Sequence, residues 1–66
     1  MDAKKIKSER LLLGISQEKM AQRLGVTGRT IRNYESGETH VPDTVTKLHY
    51  CLKKIDLIER EGKLNG

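Results

Sequence analysis

ISQEKMAQRLGVTGRTIRNYESG, residues 15–37, decides how this chain folds. Its apolar side chains recur at spacings of three and four, and no alternating, strand-like stretch interrupts them, so helices are expected. Ser16 can accept from the backbone N–H groups of a first turn, and Glu18 suits the positive end of that helix. Met20, Ala21 and Leu24 form its inner face before Gly25 supplies the left-handed exit that other residues adopt only at a cost. Val26 sits in the turn, Thr27 caps the next helix, and Gly37 closes it after Ser36. The result is two short helices, each about two turns long, joined by a tight corner.

The motif between Gln17 and Tyr34 is more specific than periodicity alone. Met20, Leu24, Val26, Ile31 and Tyr34 are apolar where a second helix must seat on a core, Ala21 is small where the backbones approach, and Gly25 stands at the corner. This is the pattern of a helix-turn-helix. Glycines at 25 and 28 next to Arg29 and Thr30 also invite a phosphate-loop reading of GVTGRT. That reading fails, because such a loop needs GxxxxGK[ST] after a strand, and here the glycines are three apart, Lys is absent and a helix precedes.

Outside the motif, Ala3, Ile6, Arg10 and Leu13 share one side of a first helix that Gly14 ends. Pro42 and Asp43 open a last helix, on which Val45, Leu48, Cys51, Leu52, Ile55 and Ile58 fall within an arc of about 140° and are expected to face the core. One continuous helix to about Glu61 accommodates this arc, while capping by Asp56 of a separate fifth helix is the alternative. The polar stretch 62–66 reads as a tail or the start of a linker. The fold expected is all-α, one domain over residues 1–66 with its motif core at 17–36.

Charge points to a partner. Thirteen Lys and Arg against nine Asp and Glu give a formal charge of +4, and residues 1–36 hold eight basic and four acidic side chains whereas 37–66 hold five of each. A polyanion is expected to meet the first part. The single Cys51 permits no internal disulfide, which fits a reducing cytoplasm. The longest apolar run, Leu11 to Leu13, is far too short to enter a membrane. His40, His49 and Cys51 lack the paired spacing of a zinc site, and Cys51 falls inside the apolar arc, so neither a metal nor a cofactor is expected. Enzymatic machinery is not expected either, since no paired inward carboxylates or oriented Cys-His couple appears and no small-molecule pocket is evident. With only Tyr34 and Tyr50 as aromatics, stacking on single strands ranks below duplex DNA.

The stretch from Ile15 to Pro42 resembles the DNA-binding domain of phage repressors, Cro proteins and bacterial regulators of the Cro/C1 type, and the resemblance extends over residues 4 to about 52. It implies a lambda-repressor-like bundle of four or five helices and an ion pair between Arg10 and Glu35, for which both residues stand on inner faces. On the third helix Arg29, Arg32 and Asn33 face outward with Gly28 and Ser36, and Arg and Asn suit guanine and adenine edges in a major groove. Arg29 and Asn33 are the leading expected base contacts, with Arg32 beside them. The resemblance assigns phosphate contacts to Gln17 and to the Ser36–His40 loop, including Ser36, Thr39 and His40. Thr27 is placed with these, although Arg32 and Thr27 suit either role. Gly28 departs from the family pattern, in which a side chain there often reads a base, and no base contact is carried over to it. The implied function is sequence-specific binding of double-stranded DNA by a homodimer at a two-fold operator, repressing transcription. Tyr50, Leu57 and Leu64 form a second apolar stripe that is expected to contribute the dimer contact. The rival class is an antitoxin or anti-regulator that keeps the frame but acts through a protein surface.

Overall fold

The computed structural model describes residues 1–65, with side chains through Glu59. Four helices follow in order: α1 Ala3–Leu13, α2 Gln17–Leu24, α3 Gly28–Ser36 and α4 Asp43–Asn65. No strand occurs among the described residues. The expected all-α bundle is therefore present in its four-helix form, with a continuous last helix and no break at Asp56.

Local chemistry sets the boundaries. The side chains of Asp2, Ser16 and Thr27 accept from the amides of Lys5, Lys19 and Thr30, which satisfies first-turn donors that have no partner within the helix. At Gly25 φ is +70°, and the N–H groups of Gly25 and Val26 close back onto the last carbonyls of α2. A side chain with a Cβ at that angle would be strained, so this glycine turns the motif.

Ile6 of α1, Met20, Ala21 and Leu24 of α2, Ile31 and Tyr34 of α3, and Val41 before α4 form the core. Leu13, Ile15, Val26, Val45 and Leu52 pack around it. The apolar inner-face residues expected on α2 and α3, Met20, Ala21, Leu24, Ile31 and Tyr34, are buried, and Val26 in the corner is half-buried.

The apolar arc expected on α4 is only partly inward. Val45 and Leu52 are half-buried as expected, but Leu48, Ile55 and Ile58 are exposed, and Cys51, expected in the core, is exposed as well. His49 takes the most buried position on the helix, with no exposed surface. The cause lies on α1, where Glu9 is 3% exposed. A buried carboxylate needs hydrogen-bonded partners, and His49 Nε2 at 2.9 Å and Lys53 Nζ at 2.8 Å supply them through α4. Further along, Arg23 of α2 holds Asp56 at 3.0 Å. These polar anchors fix the roll of α4 and turn its more hydrophobic arc to solvent.

Candidate nucleic-acid interface

α3 is held from its inner side so that its outer side stays free. Ile31 and Tyr34 are buried, and Glu35 on the same side meets Arg10 of α1: Arg10 Nε donates to Glu35 Oε2 at 2.7 Å and Nη2 to Oε1 at 3.1 Å. The two side chains are 12% and 6% exposed, and Arg10 Nη1 also donates to the Ile15 carbonyl at 3.0 Å. One guanidinium thus ties α1, the start of the α2 segment and the end of α3, as the sequence resemblance implies. The hydrogen bonds that Arg10 donates to Glu35 hold its guanidinium above the ordinary arginine range. Burial pushes the Glu35 carboxyl up, but hydrogen bonds from Arg10 and Gln17 together with the Arg10 charge outweigh it and leave it below its usual value.

The outward side of α3 carries Arg29 and Arg32, both exposed, and Asn33, half-buried. A rotation of about 100° per residue places them on one arc with Ser36, opposite Ile31 and Tyr34. Arg29 has no hydrogen bond or ion pair among the described residues. Arg32 Nη1 donates to Glu18 Oε1 at 3.0 Å, although both side chains are more than half exposed, so water competes for the pair. The Asn33 carbonyl accepts from Ser36 Oγ at 3.2 Å and from the Thr39 amide at 3.3 Å, which folds the following loop back onto the helix end.

The expected phosphate contacts lie at both ends of this surface. Gln17 opens α2, but its side-chain amide donates to Glu35 at 3.2 Å and thereby supports the Arg10 pair. Thr27 is exposed, with its hydroxyl engaged at the amide and hydroxyl of Thr30. Ser36, Thr39 and His40 are all exposed in the loop after α3. Of the stripe assigned to dimerisation, Tyr50 and Leu57 are exposed, while Leu64 lies outside the residues whose side chains are described.

Glu18 and Gly28 form a contact that sequence reasoning missed. The Glu18 carboxylate lies against Gly28, the first residue of α3, so closely that a Cβ at position 28 would overlap it. The glycine therefore makes room for a carboxylate at the positive end of a helix, where negative charge is favoured. No local signal gives this, because the nine intervening residues include the turn.

A protein-family profile described as Helix-turn-helix matches residues 6–45. An Archaeoglobus fulgidus protein provisionally named an HTH-type transcriptional regulatory protein is 35% identical over 63 residues, which take in 88% of this chain and 20% of that protein. The chain thus spans about one fifth of that relative's length. No solved structure matches the sequence significantly. Together with the seated α3, the Arg10–Glu35 tie and the glycine corner, the matched span shows that the chain belongs to the Cro/C1-like helix-turn-helix family of DNA-binding transcriptional regulators.

Proposed function

We propose that the protein binds double-stranded DNA in a sequence-specific manner, with α3 in the major groove, and represses transcription as a homodimer on a two-fold operator. The observation that carries this reading is the division of α3 into a clamped inner side and a basic, uncovered outer side. Arg29 and Asn33 read bases, Arg29 suiting guanine O6 and N7 and Asn33 adenine N6 and N7, while Arg32 joins them once it leaves Glu18. Gln17, Thr27, Ser36, Thr39 and His40 position the helix against phosphates. Two copies are needed because one small module offers few base contacts, and a two-fold site lets the same contacts be made twice. Occupation of the operator then competes with polymerase.

Salt tests the electrostatic part directly. Fluorescence anisotropy with duplex DNA at increasing salt is expected to give a log-affinity slope of about −0.9 per phosphate neutralised. A flat response would discard duplex DNA as the partner.

A further inference from the structure

The turned-out face of α4 carries its own repeat. Leu48, Cys51, Ile55 and Ile58 are exposed and follow one another at intervals of three, four and three residues. At about 100° per residue they occupy an arc roughly 80° wide, centred about 110° round the helix from the side that carries Val45, His49 and Leu52. No charged residue between positions 48 and 58 falls inside that arc. Such spacing is that of a coiled-coil seam, with Leu48 and Ile55 at a positions and Cys51 and Ile58 at d positions.

We infer that a second copy of this chain docks on this face, α4 against α4, parallel and in register. The flanking charges select that occupant. Lys54 holds a g position and Glu59 an e position, both exposed, so in a parallel pair each Lys54 faces the partner's Glu59. An antiparallel pair overlapping the same four residues instead brings g positions together, setting Lys54 against Lys54 of the partner subunit, of like charge, and Lys47 against Glu61 of the partner subunit. The in-register pair sets Cys51 of one copy opposite Cys51 of the partner subunit. It also places the contact on a different side of α4 from Tyr50 and Leu57. The Tyr50 ring is already engaged within its own chain, edge-on to His49 with centroids 5.0 Å apart. In giving the proposed operator-binding homodimer its interface, the inference rests on that reading, but association is measured without DNA.

The test uses the full chain and diamide, an oxidant that takes two hydrogens from a pair of thiols as one disulfide forms. Sedimentation is expected to show a reversible dimer, and diamide to convert it to a Cys51-linked dimer on a non-reducing gel. Ile55→Asp should slow crosslinking about tenfold or more without loss of helical circular dichroism, because that side chain is exposed. Lys54→Glu should slow it, and adding Glu59→Lys should restore it. Tyr50→Glu with Leu57→Glu should leave it unchanged. A chain that sediments as a monomer up to millimolar concentration, or crosslinking indifferent to Ile55→Asp, overturns the seam. So does crosslinking lost in the Tyr50/Leu57 variant. Duplex binding, read separately by anisotropy, distinguishes the two proposals: a seam dimer that ignores DNA removes the operator reading and keeps the seam, and a monomer that binds duplex DNA removes the seam, and with it the homodimer, while keeping recognition of duplex DNA by α3.

Discussion

Arg10 grips both carboxylate oxygens of Glu35, at 2.7 and 3.1 Å, and so joins the first helix to the end of α3, the helix proposed to face DNA. The pair is largely buried, and a charge stripped of its partner there is not rescued by water. Arg10→Met should therefore destabilise the fold by about 3–5 kcal/mol in urea unfolding. Adding Glu35→Leu should recover much of the loss, because two apolar groups need no pairing. A double variant as unstable as the single one would show that the pair's charge is not what the site requires.

Glu9 gives the fold a defined acid sensitivity. Hydrogen bonds from His49 and then Lys53 outweigh burial and hold its carboxyl at about 2, below the ordinary 4.5. A carboxyl whose value is depressed on folding stabilises the native state above its unfolded value and loses that contribution as pH falls through the folded one. Thermal unfolding should thus be insensitive to this group above about pH 5 and decline between pH 4.5 and 2, with Glu35 contributing in the same direction. In Glu9→Gln the midpoint should start lower at neutral pH and fall less over that window. An unchanged acid slope would contradict the assignment.

On the outward side of α3, Arg29→Ala and Asn33→Ala should each weaken specific binding by about 1–3 kcal/mol and relax preference at one operator position. Circular dichroism should be unaffected, since Arg29 is exposed and Asn33 is only half-buried. Uniform weakening on every sequence, without relaxed preference, would reassign the residue to phosphate.

Glu18→Gln should strengthen duplex binding. The carboxylate adds negative charge beside the start of α3 and holds Arg32 at 3.0 Å. Removing one charge at contact range in water corresponds to about 1 kcal/mol, or roughly fivefold in the dissociation constant. Weaker binding, together with lost preference for a cytosine, would instead make Glu18 a reader of the cytosine amino group.

The motif was legible because its determinants are local. Ser16 and Thr27 cap within three residues, Gly25 turns at a positive φ, and Ile31 and Tyr34 repeat at helical spacing. Arg10 and Glu35 were legible through family resemblance and because both stand on inner faces. The roll of α4 was not. Hydropathy weights Leu48, Cys51, Ile55 and Ile58, whereas the orientation is set by Glu9 with His49 and Lys53, 40 and 44 residues away in sequence. Periodicity within one helix contains no information about a buried carboxylate on another. Gly28 was opaque for the same reason, since its neighbour Glu18 approaches across the turn.

Selection of bound duplexes from a random pool tests whether α3 recognises duplex DNA in a sequence-specific manner. Enrichment of one motif with inverted halves about one helical turn apart is the predicted result, with the preference relaxed at one position in each half by Arg29→Ala. A pool that shows no enrichment after repeated rounds would contradict it.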